Sequence, residues 1–576
     1  MLKLLKYLHK YRRQAITAPF FKLLEVIFEL FVPLVVARII DIGIACQDRN
    51  YVVRMCLLLG LLAVIGFSCT LAAQYFAART AAGFARDVKH DLFDHIQSFS
   101  YRQLDKVGTS TLITRLTSDM NQIQTGINLS LRLLLRSPFV VFGAMVMAFT
   151  IDVSSTLIFV LIIPVLSVII FFIMLKTVPL YQAVQNQLDR VLKTTRENLT
   201  GNRVIRAFNL QKQEMDKYGQ QSNVLNALLR KVGRISALMN PLTYVIINIG
   251  VVTLLYVGAL KVNSGTLSSG QVVALYNYMS QILVELVKLA NLIITITKSF
   301  ACGNRVQAIL DEQADPETVG EIPQPSGDYI VEFDHVSLKY HHNALPALYD
   351  IRFQVRSGET IGIIGSTGCG KSSVINLIEN FYQPTEGRVL IKGADARNYP
   401  GESLRKMIGI VPQRAVLFSG TVRSNLLWGN ESASDEELIE ALKQAEGFEI
   451  VERKQGLDTV VEQNGTNFSG GQRQRLTIAR ALVRRPDILI LDDSASALDF
   501  ATEARLRKTI RSLDYHPTCF IVSQRTSSIM HADKILVMED GRLVMAGTHE
   551  ELLRDCEVYQ EIYYSQFRKE EEAYAQ

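Results

Sequence analysis

The apolar stretches in the first 300 or so residues constrain this fold more than any other feature of the chain. Six of them, near residues 16–40, 55–78, 133–151, 155–175, 239–262 and 270–298, are apolar over about the 20 residues that a helix needs to cross a bilayer. Backbone polar groups in hydrocarbon must be satisfied within the segment, so these stretches are predicted as transmembrane helices. The chain is 48% hydrophobic with a mean hydropathy of +0.16, and the excess is confined to its first half. The sixth stretch carries Gln271, Asn277, Gln281, Glu285 and Lys288, so hydropathy alone leaves an amphipathic surface helix as its alternative.

Orientation follows from the basic residues. The two long connections, about 79–130 and 178–235, carry Arg79, Arg86, Lys89, Arg102, Lys106, Arg115, Arg190, Lys193, Arg196, Arg203 and Arg206, whereas the short loops carry few positive charges. The positive-inside rule therefore puts the long connections and both termini in the cytosol. Lys3, Lys6, Lys10, Arg12 and Arg13 flank Leu2, Leu4, Leu5 and Leu8, which predicts a short amphipathic helix on the inner surface. No small-residue cleavage site follows, which argues against a cleavable signal peptide. Apolar residues at helical spacing in Leu92–Ile96 and Val204–Leu210 predict that the spans continue as helices into the cytosol. They would reverse near Ser100–Lys106 and Gly201–Ala207, where they could touch a soluble domain.

Charges inside a span must face a cavity or a partner. Glu25 and Glu29 lie one helical turn apart, so they share a face. They form either a cation-attracting patch in a translocation cavity or salt bridges to a neighbouring span. Asp41, at the outer end of the first span, is either an outer-gate contact or an ordinary solvated residue. Seven cysteines without paired spacing imply neither a disulfide framework nor a metal site. A net charge of +5 on 576 residues gives no support to a nucleic-acid partner.

The second half reads differently. Asp311–Gly327, with Pro316, Pro323 and Pro325, is a linker, and strands follow at Tyr329–Phe333, Val336–Leu338, Ile351–Val355 and Thr360–Ile364. The domains are thus 1–310, 311–327 and 328–576. The last strand leads into Gly365-Ser366-Thr367-Gly368-Cys369-Gly370-Lys371-Ser372 and a helix-like Val374–Ile378. This is a P-loop in its required strand–helix context: backbone N–H groups wrap phosphate, Lys371 reaches the terminal phosphates and Ser372 ligates Mg²⁺. Ile488–Leu491 is a buried-strand run ending in Asp492 and Asp493, where the Mg²⁺-side carboxylate of such a site belongs. Ser469-Gly470-Gly471-Gln472 opens the helical Arg473–Arg485 and is a second anion-binding helix start. Either the chain binds two nucleotides, or each site is built from two chains.

Together these residues resemble the ATP-binding-cassette (ABC) exporter family, as a half-transporter. The P-loop, Gln413 after Val411-Pro412, Phe468-Ser469-Gly470-Gly471-Gln472, Asp492 and Ser496-Ala497-Leu498-Asp499 occur in family order across the whole chain. The resemblance implies an α-helical membrane domain with six transmembrane helices fused to an α/β P-loop nucleotide-binding domain, in a bacterial plasma membrane. It implies that Tyr340 stacks on adenine, that the loop through Ser373 holds ATP, and that Gln413 joins Ser372 and Asp492 around Mg²⁺. Two chains would sandwich two ATP molecules, with the turns near 100–106 and 201–207 as coupling helices. The cargo would be small amphipathic compounds, drugs or lipids, moved among membrane lipids.

Two positions depart from the family. Asp493 stands where a Glu usually polarises the attacking water, and its carboxylate sits about 1.5 Å further back. Gln524 stands where the switch His follows Ile521-Val522-Ser523, and an amide donates a hydrogen bond but carries no proton or charge. His516 and His531 are out of register. The expectation is a weakly hydrolytic, degenerate subunit of a heterodimer, whose partner half-transporter carries the Glu and His and receives the signature Ser469–Gln472 on its own ATP. The alternative is an ATP-gated sensor that transports nothing.

Overall fold

The computed structural model describes residues 2–313, 323, 327–340 and 345–567. Most of the linker expected at 311–327 lies outside the described residues. The chain divides into two compact units, one of residues 1–97 and 108–313, the other of residues 98–107 and 314–576.

The first unit is helical. A 3₁₀ helix, Leu2–Tyr11, precedes α1 (Arg12–Arg38), which runs into a π-helical turn, Ile39–Ile44. Then come α2 (Arg49–Gln97), and, after the short α3 (Tyr101–Val107) of the other unit, α4 (Thr109–Thr114), α5 (Met120–Leu133), α6 (Arg136–Ile151) and α7 (Val153–Thr200). The unit ends with α8 (Asn202–Ala207), α9 (Gln211–Ala237), α10 (Met239–Asn263) and α11 (Ser269–Leu310). At 1.5 Å per residue the 49-residue α2 is about 74 Å long, more than twice the hydrocarbon thickness. It therefore continues beyond the bilayer, as does α7.

Among the described residues, five helical runs are long and apolar enough to cross a membrane: 49–97, 109–151, 153–200, 211–263 and 269–310. The first predicted span is also a helix, α1, but Lys22, Glu25 and Glu29 interrupt its apolar run. Those charges are met by partners inside the unit instead of by composition. Leu57, Leu61, Val64 and Phe67 on α2 point outward, as lipid-facing residues do. The inner core joins Val26 and Leu30, Val140 and Ala144, Phe159 and Leu166, and Leu275, Tyr278 and Met279. The Tyr278 hydroxyl is satisfied there by the Leu30 carbonyl at 2.6 Å.

The second unit carries the sheets. A four-stranded antiparallel sheet has the order β2 (Leu348–Arg356), β1 (Tyr329–Leu338), β4 (Glu386–Ile391), β5 (Ala394–Asp395). The six-stranded sheet runs β12 (Arg542–Gly547), β11 (Lys534–Glu539), β3 (Thr360–Gly365), β10 (Thr518–Val522), β9 (Ile488–Asp492), β6 (Ile408–Val411). Its strands are parallel except for β12. A short pair, β7 (Gly420–Thr421) and β8 (Val460–Val461), stands apart. β3 and β9 are covered on both faces, which is why they read as unbroken apolar runs. The two strands expected at 329–333 and 336–338 are one strand with a bulge. His335 takes φ +52°, and the ladder shifts between Phe333 and Val336 without breaking.

Candidate functional site

The phosphate loop joins β3 to α12 (Lys371–Ile378) at the carboxyl end of the parallel strands, where open α/β sheets bind ligands. Gly365 has φ +153°, and a Cβ there would stand 2.0 Å from the Met538 carbonyl oxygen and 2.6 Å from Cys369 Sγ. Gly370 caps α12 at φ +98°, so only glycine closes the loop this tightly. Lys371 Nζ donates to the carbonyls of Gly365 at 2.9 Å and Ser366 at 2.7 Å, with Cys369 Sγ at 3.5 Å. The ammonium is thereby held inside the loop.

A cavity of about 120 Å³ brings together Thr367, Gly368, Lys371, Ser372, Gln413, Asp492, Asp493, Ser523 and Gln524. Burial pushes the Asp492 carboxyl up, adjacent Asp493 pushes the same way, and Lys371 pulls it back. Two neighbouring carboxylates beside the Ser372 hydroxyl form a hard-oxygen donor set, which fits Mg²⁺.

Asp493 sits at φ +44° with its N–H donated to the Val522 carbonyl at 2.9 Å. Its Oδ2 accepts from Gln413 Nε2 at 3.3 Å, so the two residues singled out from the sequence meet. The Gln524 carbonyl accepts from Gln566 Nε2 at 2.7 Å, and Gln566 Oε1 accepts the Thr526 N–H at 2.9 Å. The helix Glu557–Gln566 thus braces the switch turn, which sequence reasoning missed. It also missed Glu379, just past α12 and only 3% exposed. Burial raises its pKa to about 8, Asp492 pushes in the same direction, and among the described residues Oε2 has no hydrogen-bond partner. Its signal was a lone carboxylate ending an apolar helix.

Tyr340 stands beside α12, its hydroxyl 2.9 Å from Ser373 Oγ. The signature residues do not line the phosphate cavity. Ser469 caps the helix Gly470–Val483 through a reciprocal capping box with Gln472. The N–H groups of Gly470 and Gly471 lie in its first turn, where helix donors lack intrahelical acceptors. Gly470 lines a separate groove with Arg414, Asn464 and Arg473, and Gln413 borders both spaces. Phe468, the departure at the head of the signature, is 3% exposed in the surrounding core with Lys454 Nζ 4.4 Å from its ring centroid.

In the helical unit, Glu25 accepts from Lys22 Nζ at 2.6 Å, and Glu29 pairs with Arg136 at 2.9 Å. Arg136 also pairs with Glu285, which Lys288 and Ser137 each contact at 2.9 Å. The two glutamates thus belong to a charge network centred on the buried Arg136 and Glu285 and joining α1, α6 and α11. Asp41 accepts the Gly270 N–H at 2.7 Å and the Ser268 hydroxyl, clamping the start of α11.

Comparison with known proteins covers nearly the whole chain. A family model of the ABC transporter transmembrane region matches residues 15–286, and one of the ABC transporter matches residues 348–496. A Bacillus subtilis (strain 168) protein described as an uncharacterized ABC transporter ATP-binding protein, YfiB, is 37% identical over 572 residues, 99% of each chain. An ATP-dependent lipid A-core flippase of Yersinia pestis bv. Antiqua (strain Antiqua) is 30% identical over 97% of this chain and 96% of its own. The solved structure of a bacterial Atm1-family ABC exporter with ATP bound aligns at a TM-score of 0.80 and 25% identity, over 97% of this chain and 99% of that one.

Proposed function

Since the chain belongs to the ABC transporter family, as a multi-pass exporter with its nucleotide-binding domain in the cytosol, we propose that it is the degenerate half of a heterodimer. It binds ATP with Mg²⁺ in its own loop but hydrolyses the nucleotide slowly, and it lends Ser469–Gln472 to the partner chain's ATP. The observation that carries this reading is that Asp493 and Gln524 line the same cavity as Lys371, Ser372 and Asp492. Binding groups are in place there, while the two positions that should activate water and sense the terminal phosphate hold a shortened carboxylate and an amide.

Lys371 and the loop N–H groups hold phosphate, Ser372, Gln413 and Asp492 hold Mg²⁺, and Tyr340 stacks on the base. When bound, ATP supplies the free energy for the cycle. The separate groove of Gly470 supports a site built from two chains. So does the α8 turn, which leaves Val204 and, just past the helix end, Phe208 58% and 71% exposed, an apolar face for a second chain to cover. An amphipathic cargo is supported by the lipid named for the flippase relatives. Glu29 is paired with Arg136 yet keeps its side chain 38% exposed, which leaves its carboxylate accessible to a cationic cargo, and Asp41 serves as an outer-gate contact.

The test is ATP turnover and ATP-driven dye or lipid accumulation in vesicles, for the chain alone and with its co-purifying half-transporter. The pair should transport, and the lone chain should bind ATP with little turnover. Brisk turnover by the lone chain that survives Asp493→Asn refutes the degenerate reading. No accumulation by the pair across a broad panel would favour the sensor.

A further inference from the structure

The segment Ser98–Val107 is flanked in sequence by the long membrane helices yet packs as part of the nucleotide unit. Tyr101 of α3 stacks on Phe381, ring centroids 4.0 Å apart at 23°. One turn later, Asp105 Oδ2 accepts the hydroxyl of Tyr382, a side chain 9% exposed. The Tyr382 ring meets Tyr340 edge-on, centroids 4.8 Å apart at 86°. The Tyr340 hydroxyl in turn lies 2.9 Å from Ser373 Oγ and 3.5 Å from Asn376 Nδ2, both on α12. Contact is therefore continuous from Asp105 to the helix that follows the phosphate loop. It runs through two tyrosine rings and bypasses Gln413 and the phosphate cavity.

Tyr382 is fixed at two points, its hydroxyl on Asp105 and its ring edge on Tyr340. Removing the acceptor leaves a buried phenol O–H unpaired, which favours rotation of the ring toward water. The edge-on contact is then lost, and Tyr340 keeps only its hydroxyl anchor. A ring free to tilt about that anchor presents a poorer face to a planar base, because ordering it is left to the binding event.

We propose that Asp105 and Tyr382 are positioning residues that hold the Tyr340 ring ready for adenine, so that α3 sets the base-dependent part of nucleotide affinity. The inference rests on the reading that Tyr340 stacks on adenine. It assigns α3 an effect on the purine that is separable from any effect on the phosphates.

The experiment measures Kd for Mg–ATP and for Mg–tripolyphosphate, which has no base, on the full-length chain in lipid nanodiscs. The variants are Asp105→Ala, Tyr382→Phe, Tyr340→Ala and the double variant Asp105→Ala/Tyr340→Ala. Asp105 is exposed, so its truncation leaves the core intact. Asp105→Ala should raise the Kd for ATP about fivefold, the scale of one lost edge-to-face ring pair, with tripolyphosphate unchanged, and Tyr382→Phe, which removes the unpaired hydroxyl along with the anchor, should raise it less. Asp105→Ala should add nothing once Tyr340 is absent. Equal losses for both ligands, an unchanged Kd for ATP, or a full effect persisting in the double variant overturns the proposal. If Tyr340→Ala leaves the ratio of the two affinities unchanged, the stacking reading falls and takes the proposal with it. If only Tyr340→Ala moves that ratio, the proposal falls alone.

Discussion

Replacing Glu379 by Gln should stabilise the nucleotide unit in a strongly pH-dependent way. The carboxyl is 3% exposed, and burial first, then Asp492, raises its pKa from 4.5 to about 8. Between those values the folded chain holds a proton that the unfolded chain has lost, so stability falls as pH rises, by about 1.36 kcal/mol per unit. Below about pH 4.5 both states are protonated and nothing is lost; above about pH 8 both are ionised and the loss is complete. At pH 7 the penalty is about 3 kcal/mol, the product of that slope and about 2.5 pH units. Gln is neutral throughout and of the same shape. Its amide lacks a partner much as the protonated carboxyl does, so the difference isolates the charge. The assay is thermal unfolding without nucleotide and in EDTA, followed by fluorescence of the single tryptophan, Trp428, stacked on Phe418 in this unit. At about 2–4 °C per kcal/mol, Glu379→Gln should raise Tm by about 6–12 °C at pH 7 and by little at pH 5. An increase of the same size at both pH values would refute the reasoning, because it would trace to packing and not to ionisation.

Three further outcomes are expected. Asp493→Glu combined with Gln524→His should raise ATP turnover of the lone chain about tenfold or more, since a placed base contributes about 10²–10⁴; unchanged turnover with ATP binding intact would contradict the degenerate site. Alkylation of Cys369, 2% exposed and 3.5 Å from Lys371 Nζ, should be slow and should abolish ATP binding; unaltered affinity after complete modification counts against that. Glu25→Gln with Glu29→Gln should reduce transport of cationic compounds more than that of neutral ones, and equal rates for both classes would remove the proposed patch.

The phosphate loop is legible in the sequence because its chemistry demands contiguous residues: Gly365 and Gly370 need positive φ, and Lys371 must open the helix. The strand order is less so, because β1 is interrupted in pattern at His335 but continuous in hydrogen bonding. The charge network of the helical unit is legible only as an alternative, salt bridges from Glu25 and Glu29 to a neighbouring span, and its partners are not. Arg136 and Glu285 are 149 residues apart, and each alone reads as a blemish in an apolar run. Lys22, Glu25 and Glu29 lower the hydropathy of α1 for the same reason. Their desolvation is met by ion pairs, a tertiary property that no window of sequence contains. Glu379 belongs with them, since its environment is made first by burial and then by Asp492 from a distant strand.

These hidden charges bear on how the proposed degenerate site would persist. In the proposed reading, positions 493 and 524 are where hydrolysis would act on water and terminal phosphate, and Asp493 and Gln524 sit there in exposed or partly exposed turns. Change there disturbs one hydrogen bond from Gln413 and leaves the backbone bonds to Val522 and Gln566 in place. Lys371 is different: it is 9% exposed and bonded to two loop carbonyls, so losing it would unpair buried acceptors as well as release phosphate. Catalytic groups are therefore structurally cheaper to replace than binding groups. A chain whose partner hydrolyses for both would lose the catalytic chemistry of positions 493 and 524 first, and keep the loop for as long as bound ATP still closes the pair.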